Sequence, residues 1–193
     1  MRKPLTKDEL NDGELLRLSA TGDEEAFLSL YRRHQGAVFR FALHMSGKRE
    51  TAEEVTQEVF LAILGDLPQY TPEKGQFQAY LIGMARNHVR RHLRQTRAIA
   101  ADLIEVSERQ QDHSGGQLLD ELSKAQELGA LRKAILSLPA SYREVVVLCD
   151  LEGVNYVQAA EQLGCAVGTV RSRLHRARNI LEAKLRRRER CPA

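Results

Sequence analysis

The chain has no tryptophan, three cysteines in 193 residues and no long apolar run. Its longest apolar stretches, about Ala79 to Ala85 and Val145 to Cys149, fall far short of the roughly 20 residues a membrane-spanning helix needs. No membrane insertion is expected. Cys149, Cys165 and Cys191 are odd in number and lack CxxC spacing, which suits reduced thiols rather than a disulfide frame or a zinc site. No apolar stretch follows the start Met1-Arg2-Lys3-Pro4-Leu5-Thr6-Lys7, so no secretory leader is expected and the reading is cytoplasmic. Phosphate-cradling glycine loops, nucleophile elbows and carboxylate pairs are all missing. His88 and His92 stand at i and i+4, but without an HExxH pattern or a third ligand. No catalytic residue, metal ligand or cofactor is therefore assigned, and the chain is not expected to be an enzyme.

What is present is charge, unevenly placed. The 29 basic and 26 acidic residues leave a net +3, but Arg86 to Arg97 holds five arginines (Arg86, Arg90, Arg91, Arg94, Arg97) and no acid, for +5. Arg171 to Arg190 holds nine basic residues against Glu182 and Glu189, for +7. Between them, Ala98 to Ala130 carries seven acids against Arg109 and Lys124, for −5. Two basic modules flank an acidic connector, a distribution that attracts polyanions such as nucleic acid.

Almost every segment reads as helix. Asp23 can cap a helix with Phe27, Leu30, Tyr31, Val38, Phe41, Ala42 and Met45 at helical spacing, ended by Ser46-Gly47. Thr51 with Glu54 has the form of a capping box before Val55, Val59, Phe60, Ile63 and Leu64. Pro68 to Gly75 is a loop, after which Phe77, Tyr80, Leu81, Met84, Ala85, His88 and Val89 restart the stripe. Beyond the weakly periodic stretch 98–116, Leu118 to Leu136 is amphipathic. Ser141 with Glu144 then forms a second expected capping box, and Gly153 ends that helix.

The most specific local pattern runs from Tyr156 to Arg176. Asn155 can cap a helix to Leu163, small Ala160 permits a close crossing, and Gly164 supplies the positive φ of a tight turn. This is the form of a helix-turn-helix. Val170 and Leu174 face the first helix, which leaves Arg171, Ser172, His175, Arg176 and Arg178 toward solvent, where a recognition helix meets the major groove. A stand-alone regulator that dimerises through its N-terminal domain would carry the same pattern.

These residues resemble a known family. Leu138-Pro139 with Arg143-Glu144-Val145, followed by Gly168-Thr169-Val170-Arg171-Ser172-Arg173-Leu174-His175-Arg176-Ala177-Arg178, is similar to region 4 of sigma-70 factors of the extracytoplasmic-function (ECF) group. Ala52 to Phe60 resembles region 2.2, and Phe77 to Asn87 regions 2.3 and 2.4. Tyr80 departs from the tryptophan usual there, and Val154 to Ala159 from the usual serine-tyrosine-acidic-acidic sequence.

The resemblance implies an all-α fold of two helical domains: a region 2 helical bundle at 1–97 and a region 4 helix-turn-helix domain at 117–193, joined by a flexible linker at 98–116. It implies a bacterial sigma factor that brings core RNA polymerase to promoters and assists melting. Thr169, Arg171, Ser172, Arg173, His175, Arg176 and Arg178 would contact the −35 element. Tyr80, Arg86, Asn87, Arg90 and Arg91 would contact the −10 element. Glu54, Gln57 and Glu58 would dock on the clamp helices of the largest polymerase subunit, with the flap as a further contact. An anti-sigma factor is the remaining implied partner, and nucleoid association would follow from polymerase binding. A 19-residue linker reaches at most about 60 Å, enough for elements roughly 18 base pairs apart at about 3.4 Å each.

Overall fold

The computed structural model describes residues 7–66, 77–102 and 119–190. The expected loop from Pro68, most of the expected linker and Cys191 lie outside them. Among the described residues every regular element is helical. A 3-10 turn, Lys7–Glu9, leads into α1 (Asp12–Ala20), α2 (Glu24–Ser46), α3 (Arg49–Asp66) and α4 (Phe77–Asp102). Then come α5 (Leu119–Leu136), α6 (Ala140–Val146), a π-helical turn (Val147–Leu151), α7 (Tyr156–Leu163) and α8 (Val167–Arg190).

The first domain is built around α2, against which α1, α3 and α4 all pack. Its long stripe supplies Leu30, Val38, Phe41, Ala42 and Met45, none more than 2 % exposed; each such large side chain contributes about 1.5–3 kcal/mol on burial. Asp23 caps α2 by accepting from Ala26 N–H at 3.1 Å, as expected. Gly47 ends it at φ 75°, a left-handed conformation that suits glycine. The sequence pattern alone did not separate α1, which Asn11 opens with a capping box to Glu14. It is pinned to α2 by Asp12, which lies 2.9 Å from buried His34 and accepts from Arg33 at 2.7 Å.

In the second domain α8 packs against α5, α6 and α7. Both expected capping boxes are overturned. α3 starts at Arg49, with Ala52 N–H already bonded to Lys48 C=O, so Thr51 lies inside the helix and cannot cap it. α6 starts from Pro139, whose fixed φ suits a helix entrance, and makes no side-chain cap. Glu144 is instead buried. α4 runs through the first arginine block to Asp102, into the stretch expected as linker.

The two hydrophobic stripes merge into a single buried cluster running from Leu15 to Leu181. α2 touches α5, α6 and the π-turn, and α4 touches α7. The seam is ionic as well as apolar. Arg40 forks onto Glu152 at 3.1 and 3.3 Å, and Arg143 donates to the Met45 carbonyl at the end of α2 at 2.6 Å.

Candidate nucleic-acid interface

Asn155 opens α7 by accepting from Val157 N–H at 3.1 Å and Gln158 N–H at 2.9 Å. Gly164 closes it at φ 62°, turning the chain into α8. Ala160, Val170, Leu174 and Ala177 are buried in the crossing. That packing fixes the rotation of α8 and leaves Arg171, Ser172, His175, Arg176 and Arg178 exposed, as their spacing predicts. Thr169 and Arg173 are half-buried. Ser172 Oγ donates to the Thr169 carbonyl at 3.0 Å, and His175 pairs with Asn179 at 3.3 Å. Arg178 forks onto Asp150 of the π-turn at 2.6 and 3.2 Å. That hydrogen bond and charge hold the guanidinium still more firmly protonated than usual. Arg171 and Arg176 therefore lead an exposed basic face, while Arg178 braces it.

On α4 the expected DNA residues divide. Asn87 is exposed and Tyr80 is half-buried, packed against the core. Arg86 and Arg90 both turn toward the second domain: Arg86 Nε lies 3.2 Å from Glu144, and Arg90 forks onto the same carboxylate at 2.8 and 3.1 Å. Arg86 also donates to the Gln162 carbonyl at 3.2 Å. Arg91 turns the other way, to Glu58 at 2.9 Å.

Glu58 thereby joins a cluster with His88 at 2.6 Å and His92 at 3.3 Å, and Glu54 lies 3.7 Å from His92. Partial burial pushes the Glu58 carboxyl up, but hydrogen bonds from His88, His92 and Arg91 outweigh it and hold the group below its ordinary value. Among the described residues no group of three or more His, Cys, Asp or Glu is arranged to hold a metal. Gln57 lines an open groove of about 840 Å³ between α2 and α3 whose walls include Tyr31, Phe39, Phe60, Leu61 and Leu64. Glu54, Gln57 and Glu58, at i, i+3 and i+4, lie on one solvent-facing side of α3, with Gln57 at its edge beside the groove and Glu58 at the edge beside α4. Burial pushes the Cys149 thiol up, against any reactive role.

The contacts made by Glu144, Arg143 and Glu152 across the seam, and by Asp150 to Arg178, do not follow from local sequence spacing. Glu144 had a readable signal: it stands four residues before Leu148 and beside Val145 and Val146, on an apolar surface where a charge needs a partner.

Two family descriptions match this chain: Sigma-70 region 2 over residues 30–99 and Sigma-70 region 4 over residues 128–181. It is 30% identical over 172 residues to the ECF RNA polymerase sigma factor SigC of Mycobacterium tuberculosis, covering 86% of both chains. The chain belongs to the sigma-70 family, in its ECF group. Another ECF relative, SigE of Mycolicibacterium smegmatis, is 37% identical over 171 residues, which span 84% of this chain but only 63% of SigE. Among solved structures, the sigma factor RpoE of Bartonella quintana, crystallised with the anti-sigma factor NepR, aligns at TM-score 0.67 and 26% identity. That alignment covers 83% of this chain and 96% of RpoE. In sigma-70 terms, region 2 spans most of α2 through α4, and region 4 runs from α5 into α8. No described helix is long and apolar enough to cross a membrane.

Proposed function

We propose that this ECF sigma-70 protein is a dissociable subunit that directs core RNA polymerase to particular promoters in the bacterial cytoplasm. The observation that carries the reading is the exposed Arg171 and Arg176 face of α8, held by a helix-turn-helix, in the same chain as a region 2 bundle. In this reading α8 enters the major groove at the −35 element, where arginine pairs with guanine edges or phosphates. Asn87, Arg86 and Arg90 of α4 hold the −10 strand during melting, and half-buried Tyr80 supports them from the core.

Core polymerase docks on α3. Glu54 and Glu58 supply carboxylates to a basic coiled coil, and Gln57 with Leu61 and Leu64 supplies the neighbouring apolar groove. The region 4 domain takes the flap. An anti-sigma partner is supported by the RpoE likeness, since that protein was solved with one. The chain itself contributes no catalysis; phosphodiester chemistry belongs to the polymerase.

Run-off transcription with core enzyme and genomic promoters tests the proposal. Promoter-selective transcripts that require the chain are expected. Absence of stimulation on every promoter tried from the source genome would remove it.

A further inference from the structure

Arg178 is an arginine of the α8 face that the chain pairs with an acid of its own domain. Its guanidinium forks onto Asp150 at 2.6 and 3.2 Å, whereas Arg171 and Arg176 have no ion-pair partner among the described residues. Arg171 and Arg178 are seven positions apart, about two turns, so both stand along one line of the exposed face. Exposed ion pairs usually contribute little, but two-toothed forks are the exception. Both ends of this one are held by their neighbours. Val147 and Leu148 of the π-turn are fully buried, and their carbonyls accept from Glu152 N–H and Val154 N–H at 2.9 Å. Ala177, next to Arg178, is fully buried as well. The pair therefore loses little freedom on closing.

A guanidinium committed to a carboxylate fork has its charge cancelled and its paired donors used. A phosphate asks for the same donors in the same geometry, so Arg178 can reach one only by leaving Asp150. Each phosphate that a protein neutralises steepens the salt dependence of binding by about 0.9 in the logarithmic slope, and it contributes alike on every sequence. Withdrawing one cation from that set lowers affinity for all DNA and leaves the reading of base edges untouched.

We propose that Asp150 is a positioning residue for sequence discrimination: it holds Arg178 as a strut between the π-turn and α8, withholds that cation from backbone phosphates, and leaves the choice of sequence to Arg171 and Arg176. The inference rests on α8 being the DNA face, and it adds what keeps that face selective. Arg178, expected from its spacing to contact the −35 element, is thereby assigned a role inside the protein.

The test uses the full chain and two probes: a fluorescein-labelled duplex of one mixed sequence, and a pool of duplexes randomised at their centre. Asp150→Asn frees Arg178, so affinity for the fixed duplex should rise roughly fivefold to tenfold at about 100 mM salt, with a slope steeper by about 0.9. The sequence bias selected from the pool should flatten, because the added contact favours no base. A carboxylate that merely repelled DNA would give a gain whatever stood at position 178. Combining Asp150→Asn with Arg178→Met separates the two, and should return the slope and bias of the unaltered chain. Should Asp150→Asn alone fail to fold by circular dichroism, the paired variant still decides: a slope shallower than the unaltered chain's by about 0.9 would place Arg178 on a phosphate already. That result, an unchanged slope in Asp150→Asn, or a gain that persists in the paired variant overturns the inference alone. An unaltered chain that binds neither probe at any salt overturns it together with the reading of α8 as the DNA face. A steeper slope and flatter bias in Asp150→Asn, with no run-off transcription by the unaltered chain, uphold the strut and sink the initiation reading.

Discussion

In the proposed docking of core polymerase on α3, the apolar component is set by exposure. Leu61 is 59 % and Leu64 51 % exposed, at the mouth of the α2–α3 groove. Complete burial of a leucine contributes about 1.5–3 kcal/mol, so the exposed half of each has roughly 1 kcal/mol left to gain from a partner. Truncating both, Leu61→Ala with Leu64→Ala, removes about 2 kcal/mol, a weakening of roughly 30-fold at about 1.4 kcal/mol per decade. The fold should barely respond, because neither side chain supports the core. Titrating core RNA polymerase into the labelled chain and following anisotropy gives the affinity, and circular dichroism checks that the helices persist. A loss below about threefold with intact helices refutes the assignment of the groove as a docking surface.

Acid should weaken the first domain. At Asp12 partial burial favours the protonated form, but hydrogen bonds from His34 and Arg33 outweigh it and hold the carboxyl below its ordinary 3.8; Glu58 is likewise held below 4.5. Folded values below unfolded ones mean that both contributions are complete above about pH 4.5 and disappear as pH falls through the lowered folded values. Melting temperature should drop over that range, and Asp12→Asn with Glu58→Gln should flatten the drop; an unchanged slope contradicts the pairing. Arg143 donates to the carbonyls of Met45, Leu136 and Leu138. Arg143→Met should cost about 2–3 kcal/mol, read as a urea midpoint lower by roughly 1 M, and Arg143→Lys should not restore it because a lysine lacks the fork. A cost under about 0.5 kcal/mol argues against the bridge. Gly164→Ala meets no neighbour and carries only the strain of φ +62°, about 1–2 kcal/mol. Gly47→Ala adds a Cβ 2.7 Å from Leu136 across the seam. It should cost more, and equal denaturation midpoints for the two variants would deny the contact.

Local chemistry was legible where one residue decides one geometry. Asp23 and Asn155 cap because their short side chains reach the next turn's amides, and Gly47 and Gly164 end helices because left-handed backbone suits them. The face of α8 could be read because Val170 and Leu174 fix its rotation. Capping boxes misled where a polar residue stood three positions before a glutamate but a proline or an earlier turn had already begun the helix. Thr51 and Ser141 are both of that kind. The seam was illegible for a different reason. Glu144 meets Arg90 across 54 positions of sequence, and no local period encodes a partner so distant. The expectation of two helical domains says nothing of how they meet, and it is Gly47 that brings the end of α2 against Leu136.

The π-turn at 147–151 sets a constraint on length. Widening the helix there sends Asp150 to Arg178 and Glu152 to Arg40, so two neighbouring acids face opposite sides of the molecule. Removing one residue would rotate the downstream chain by about 100° and unfasten both clasps together. Replacing Asp150 or Glu152 would open one clasp; changing the count of residues between them and the helices they bridge would open both.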